Sequence, residues 1–169
     1  MKELLPKVYK KDVYSINYES LKEKGINYLF FDMDNTLINN TTTIPSKKLL
    51  NLINKLNKMN FKIIIISNAL PGRLHKFISH IEVLDSIYFA AKPLKKNYLK
   101  LIDKHNINKN EIACIGDQIF TDIKGANKLN LLSILVDPIS KKEHIITKFN
   151  RLKERKIYKE YLKRGEYYE

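Results

Sequence analysis

The chain has 169 residues, of which 44% are hydrophobic and 29% charged, with five Gly and five Pro. That composition belongs to a folded protein long enough to bury its own core, and it excludes a disordered or collagenous chain. Lone Cys114 excludes a disulfide scaffold, and no apolar run reaches the roughly 20 residues of a spanning helix. Charge is the extreme feature: 31 Lys and Arg against 18 Asp and Glu leave +13, which predicts attraction to polyanions or anionic surfaces.

Residues 1–24 hold six Lys and four acidic residues among scattered aromatics and read as an amphipathic arm against the rest of the fold. The opening Met1-Lys2-Glu3-Leu4-Leu5 lacks the apolar stretch of about 7–15 residues that marks a signal peptide, so the expected compartment is the cytosol. From Gly25 to Asp137 short apolar runs alternate with helical patterns, which predicts a parallel sheet with crossover helices. The predicted strands are Ile26–Phe31, Lys62–Ile66, Ile87–Ala90, Ile112–Ile115 and Leu132–Val136, rich in the residues that strands covered on both faces require. The predicted helices are Ser46–Met59, with Leu49, Leu50, Ile53 and Leu56 at helical spacing, then Gly72–His80, Lys95–His105 and Thr121–Leu129. Residues 141–169 carry ten Lys or Arg against five Glu, and Ile145, Phe149 and Leu152 form one stripe of a basic amphipathic helix over about 141–164. The expected layout is one α/β domain over 1–169, a three-layer, doubly wound, mostly parallel sheet of five strands with its core at about 25–140.

Between Gly25 and Ser140 there are nine acidic residues, and four of them, Asp32, Asp34, Asp117 and Asp122, stand directly beyond two predicted strands. In open α/β sheets the carboxyl ends of the strands form the ligand crevice, so residues from distant positions converge there. Carboxylates brought face to face repel, and a divalent cation or a shared proton relieves them. In Phe31-Asp32-Met33-Asp34-Asn35-Thr36, Asp32 suits a carboxylate nucleophile toward a phosphate ester. Asp34, two positions on, suits the acid that protonates the leaving oxygen and the base that activates water. The same residue types also suit a plain turn or helix cap. Ser67 and Asn68 follow the second strand, where a hydroxyl and the amides of a starting helix can bind phosphate oxygens. Lys92 leaves the next strand just before Pro93 and can neutralise both a phosphate and Asp32. In Gly116-Asp117-Gln118-Ile119-Phe120-Thr121-Asp122, Asp117 can ligate a hard cation such as Mg²⁺, and Asp122 can orient its neighbours or cap the helix. His75, His80, His105 and His144 have no zinc spacing, and Gly-rich nucleotide-binding fingerprints are absent.

In this order, Asp32-Met33-Asp34-Asn35-Thr36, Ser67, Lys92 and Gly116-Asp117 through Asp122 resemble the four motifs of the haloacid-dehalogenase-like phosphatase superfamily. The resemblance implies a Rossmann-like fold and a Mg²⁺-dependent phosphomonoesterase. Asp32 would be the nucleophile, Asp34 the acid/base, and Thr36, Ser67, Asn68 and Lys92 the phosphate ligands. Asp32, Asp34 through its carbonyl and Asp117 would hold the metal, with Asp122 behind them. Over nearly the whole chain, Leu4-Leu5-Pro6, Gly25-Ile26, Ser67-Asn68-Ala69, Ala91-Lys92-Pro93-Leu94, Gly116 to Asp122 and Phe149-Asn150-Arg151 resemble the YqeG-like family of the IIIA-type phosphatases. That family is similar to the phosphatidylglycerophosphate phosphatases, which implies an anionic phospholipid substrate and peripheral contact with the inner face of the membrane. Only about a dozen residues separate Thr36 from the next helix, and the stretch from Ser67 to Lys92 is also short, so no cap domain is expected. The basic C-terminal helix suits an anionic membrane, and it equally suits packing on the sheet. Two alternatives remain at this stage: a phosphatase of a soluble phosphate ester, and an RNA- or ribosome-associated binding protein in which the +13 charge carries the function.

Overall fold

A computed structural model of the chain describes residues 2–140 together with 153, 154, 156 and 157. Six strands form one sheet: β1 (Val8–Lys10), β2 (Tyr28–Phe31), β3 (Lys62–Ile66), β4 (Asp85–Ile87), β5 (Ile112–Gly116) and β6 (Leu132–Val136). Their order is β1-β6-β5-β2-β3-β4 and every pairing is parallel. The helices are α1 (Tyr18–Glu23), α2 (Lys47–Lys58), α3 (Pro71–Ile78), α4 (Lys96–Lys104) and α5 (Lys124–Asn127).

Strand residues alternate between two buried layers, as a pleat of period two requires. Leu29, Phe31, Ile63, Ile65 and Ile115 pack with Leu21 of α1, Leu49, Ile53 and Leu56 of α2, and Leu74 and Phe77 of α3. Phe30, Ile64, Ile66 and Cys114 face the other way, against Tyr98, Leu101 and Ile102 of α4 and Ala126 of α5. Helix α2 forms because Leu49, Ile53 and Leu56 recur on one face, and because the Ser46 hydroxyl accepts the otherwise orphaned Leu49 N–H at 3.2 Å. Pro71 opens α3 at a position where a missing N–H is harmless.

The expected five strands become six. The added edge strand β1 comes from the N-terminal arm, which joins the sheet instead of lying against it, with Val8 opposite Ile134 and Lys10 opposite Val136. Three half-buried residues carry too little periodicity to announce a strand. The strand expected at Ile87–Ala90 lies earlier, at Asp85–Ile87, because Phe89 and Ala91 adopt left-handed conformations (φ 44° and 50°) that end the pairing. The helix expected over Thr121–Leu129 is divided into a π-helical turn, Ile119–Ile123, and α5. No domain is inserted after β2 or β3: α2 begins at Lys47 and α3 at Pro71. Most of the basic helix expected at about 141–164 lies outside the described residues; Glu154, which is helical, buries its carboxylate against the π-helical turn, where it accepts the Phe120 N–H at 3.1 Å.

The order of the strands places the site. From β2 the chain proceeds outward to β3 and β4, and β5 then returns to the opposite side of β2. The crevice at such a reversal opens at the carboxyl ends of β2 and β5, and Asp32 and Asp117 are the residues that follow those two strands.

Candidate active site

The register of β2 and β5 brings Asp32 and Asp117 side by side, with Phe31 opposite Ile115 and the Asp32 N–H bonded to the Ile115 carbonyl at 2.9 Å. Ligand oxygens of Asp32, Asp117 and Asp122 all lie within 4.8 Å of one another. Lys92 reaches in from the loop after β4, its ammonium 2.5 Å from Asp32 Oδ1 and 2.6 Å from Asp122 Oδ1. Its side chain is only 3% exposed, so the ion pairs are sheltered from solvent. Burial alone would lower the Lys92 pKa, but Asp122 and Asp32 outweigh it and hold the ammonium above the usual lysine value. Burial pushes the Asp32 carboxyl up from the ordinary carboxylate range, and Lys92 opposes that rise.

Asp122 is fixed at both oxygens, since Oδ2 accepts the Gln118 N–H at 3.1 Å. Its path crosses directly over Gly116, where an added Cβ would meet Asp122 Oδ2 at 2.5 Å. The glycine is therefore required by close approach and not by its backbone angles. Asp117 accepts the Thr36 hydroxyl at 3.2 Å. Thr36 is 2% exposed and turned toward that carboxylate.

Three carboxyl groups face one ammonium in a buried cluster, an excess of acidic groups that a divalent cation would balance. The donors are all oxygen, the set that a hard cation such as Mg²⁺ takes, so the residues fit the metal that the sequence implies. Asp32 and Asp117 are the carboxylates placed to hold it, with Asp122 behind them, its two oxygens taken by Lys92 and the Gln118 N–H.

A cleft of about 390 Å³ opens beside this cluster and is lined by Asp32, Asp34, Ser67, Asn68, Arg73 and Lys92 among others. Ser67 Oγ accepts the Ala69 N–H at 3.0 Å, and Asn68 Oδ1 accepts the Lys92 N–H at 3.0 Å, so the two loops are tied together at the cleft wall. Asn35 also lines the cleft; its backbone is left-handed (φ 63°), and its side-chain oxygen is buried without a hydrogen-bond partner among the described residues.

Asp34 lies outside the three-carboxylate cluster and meets Arg73, a residue the sequence motifs do not single out. Arg73 Nε and Nη2 donate to Asp34 Oδ1 at 2.9 and 2.6 Å. The same Nη2 reaches the carbonyls of Asn39 and Thr42 at 3.1 and 2.7 Å. Arg73 thus clamps the loop after β2 to the first turn of α3 while holding one oxygen of Asp34. Its one sequence signal is position, six residues beyond Ser67, which in a chain rich in basic residues stands out little.

Among the described residues no helix is long and apolar enough to cross a membrane. Residues 41–130, which contain Ser67, Lys92, Asp117 and Asp122, match the family model of the haloacid dehalogenase-like hydrolases. The chain is 30% identical over 164 residues to a probable phosphatase, YqeG, of Bacillus subtilis, covering 97% of this chain and 95% of that one. It is 27% identical over 174 residues to a chloroplastic/mitochondrial phosphatidylglycerophosphate phosphatase of Arabidopsis thaliana, covering 96% of this chain but only about half (49%) of the plant protein. Among solved structures, the cobalt-bound deoxy-D-mannose-octulosonate 8-phosphate phosphatase of Haemophilus influenzae shares the fold. Its TM-score is 0.54 at 13% identity, over 68% of this chain and 70% of that one.

Proposed function

The chain belongs to the haloacid dehalogenase-like hydrolases and is a phosphatase of the YqeG kind, and from that premise we propose that it is a Mg²⁺-dependent phosphomonoesterase acting through an aspartyl-phosphate at Asp32 on phosphatidylglycerophosphate. The observation that carries the reading is the cluster at the β2/β5 reversal: a buried nucleophile candidate held by Lys92, two further carboxylates, and Asp34 alongside.

In the first half-reaction an Asp32 oxygen bonds to phosphorus and the bond from phosphorus to the ester oxygen breaks. The departing oxygen takes a proton from Asp34, whose Oδ2 is the oxygen left over when Arg73 holds Oδ1. In the second, water attacks the aspartyl-phosphate, gives its proton to Asp34 and frees Asp32 and inorganic phosphate. Lys92 keeps positive charge beside the reacting oxygens in a site where water does not screen it. The hydroxyl of Ser67 and the side chain of Asn68 line the cleft where the phosphate oxygens would lie. Mg²⁺ held by Asp32, Asp117 and the Asp34 carbonyl would neutralise charge between nucleophile and phosphate.

The phospholipid substrate is supported by the distant plant relative, by the +13 charge, and by a cleft with no domain inserted above it. The test is phosphate release from phosphatidylglycerophosphate in mixed micelles with Mg²⁺, with an aryl phosphate in parallel. Turnover of the lipid well above the aryl ester, lost in folded Asp32→Asn and Asp34→Asn variants, is expected. Aryl turnover alone would move the substrate to a soluble ester. Activity in the Asp32 variant would remove the covalent mechanism.

A further inference from the structure

Among the described residues seven large apolar side chains stand exposed, and six of them lie at one end of the molecule. Ile44, Leu70, Tyr88, Phe89, Leu94 and Ile139 occupy the loops after β2, β3, β4 and β6, the end where the cleft opens. Leu84, just before β4, is the exception. Scattered apolar residues on a surface need no explanation, but six of them gathered at the end where one cleft opens do.

Hydrogen bonds tie these loops to the cleft wall. The Phe89 N–H donates to the Ala69 carbonyl at 3.2 Å and the Ile139 N–H to the Asn35 carbonyl at 2.9 Å. The carbonyl of Thr42, two residues before Ile44, is held by Arg73. Phe89 is the most telling. It sits in a left-handed conformation that Asn or Gly would adopt more readily, yet the residue is 53% exposed, with the Tyr88 ring edge-on at 5.9 Å. Folding gains little from placing a phenyl group there.

Charge at this end is segregated as well. Exposed Lys47 opens α2, and exposed Lys95 and Lys96 follow Leu94. Among the described residues, every carboxylate in the loops after β2 to β6 belongs to the catalytic cluster or meets Arg73, except Asp137, which accepts the Tyr9 hydroxyl at 2.9 Å. The remaining acidic residues from Glu82 to Glu111 lie before or at the start of β4, in α4 or before β5. Apolar tips interleaved with lysines suit an interface where hydrocarbon and anionic headgroups meet. They suit a protein partner less, because the centres of protein interfaces are depleted of lysine, and such a partner would cover the cleft.

We propose that this rim, led by Phe89 and Leu94, docks the protein on an anionic bilayer with the cleft facing the headgroups. The proposal rests on the reading that the phosphate ester is carried by a lipid.

The test is flotation of the full chain with vesicles of phosphatidylcholine, alone or mixed with phosphatidylglycerol, compared with the Phe89→Asn/Leu94→Ser double variant. Asn suits the left-handed backbone at position 89, and neither side chain reaches into the core. The wild-type chain is expected to float with the anionic vesicles and not with phosphatidylcholine alone. The variant should bind at least about tenfold more weakly, with unchanged melting temperature and unchanged aryl phosphate turnover. Equal binding of variant and wild type, or no binding by either, overturns the proposal. So does a fall in melting temperature, which would mean that the chain itself covers these residues, or a wild-type dimer that the variant dissolves. These vesicles carry no phosphomonoester, so docking is read without turnover. Binding through Phe89 and Leu94 with phosphatidylglycerophosphate left intact would support the docking surface and remove the proposed substrate.

Discussion

Replacing Lys92 with Met keeps most of the side-chain volume and removes the charge. In the wild-type protein the ammonium lies 2.5 Å from Asp32 and 2.6 Å from Asp122, with the Lys92, Asp32 and Asp122 side chains 3%, 9% and 5% exposed, so little water is at hand to replace it. Breaking a buried ion pair by deleting one partner typically destabilises by about 3–5 kcal/mol, a large fraction of the roughly 5–15 kcal/mol by which a domain is stable. The loss has a ceiling, because a carboxyl can take up a proton instead of remaining charged and unpaired. Burial already pushes Asp32 upward, and Lys92 is the main group holding it down. Without the lysine, folded Asp32 binds its proton more tightly than the unfolded chain does. That contribution is present at acid pH and is lost as pH rises through the raised folded value. The deficit relative to wild type should therefore be smaller near about pH 5 than near about pH 8. Urea unfolding of both proteins at the two pH values without metal measures this, and Mg²⁺ added at the higher pH should narrow the gap by substituting for the ammonium. A deficit below about 1 kcal/mol at the higher pH, or one independent of pH, would refute the assignment of Lys92 as the charge that makes this cluster tolerable.

Substitutions at three further positions probe separate links. Gly116→Ala forces a methyl group to within 2.5 Å of Asp122 Oδ2, and the expected result is a loss of about 1–3 kcal/mol in stability together with a fall in phosphatase turnover. Wild-type turnover in a folded Gly116→Ala protein would mean that Asp122 has freedom the hydrogen bonds deny it. Arg73→Ala releases Asp34 and the carbonyls of Asn39 and Thr42 together, so turnover should drop and limited proteolysis should cut the loop after β2 sooner. Arg73→Lys should recover little of either, because an ammonium cannot span the same fork. Burial pushes the Asp85 carboxyl up, but hydrogen bonds from Lys104, His105 and the Ser86 N–H outweigh it and hold the pKa below the usual value. Its contribution is present above the unfolded carboxyl pKa of roughly 3.9 and is lost as pH falls below it. The stability gap between wild type and Asp85→Asn should accordingly be constant from neutral to mildly acid pH and close in stronger acid.

The parts of this fold that were legible are those in which one local pattern determines one structural outcome. Strands β3, β5 and β6 are near-continuous apolar runs because both of their faces are covered, and α2 repeats Leu49, Ile53 and Leu56 on one face behind a serine cap. What escaped has a different cause in each case. Strand β1 is three residues at an edge, and it exists through its pairing with β6, a partner more than a hundred positions away. The strand expected at Ile87–Ala90 read Tyr88 and Phe89 as apolar strand residues, whereas both are exposed beyond the end of β4. Apolar character predicts burial only when folding, and not a surface ligand, is what the residue serves. A helix interior resumes at Lys124, but the π-helical turn before it widens the backbone where Asp122 turns back over Gly116.

The site divides along the same line. Asp32, Asp34, Asp117 and Asp122 stand out in a chain of net charge +13 because acidic residues are few there and these four follow two buried strands. Lys92 is hidden by abundance, being one of 31 Lys and Arg, and only its place after β4 and before Pro93 distinguishes it. Arg73 is hidden more completely. It lies at the third position of α3, its partners Asp34, Asn39 and Thr42 are more than thirty residues away, and no spacing within one element reports such a contact. A carboxylate announces itself by being costly to bury, which restricts where it can be; a cation in a basic chain is restricted only by what it touches. For this reason the acidic residues and Lys92 could be read from order and position, whereas Arg73, which holds Asp34 in place, required the fold.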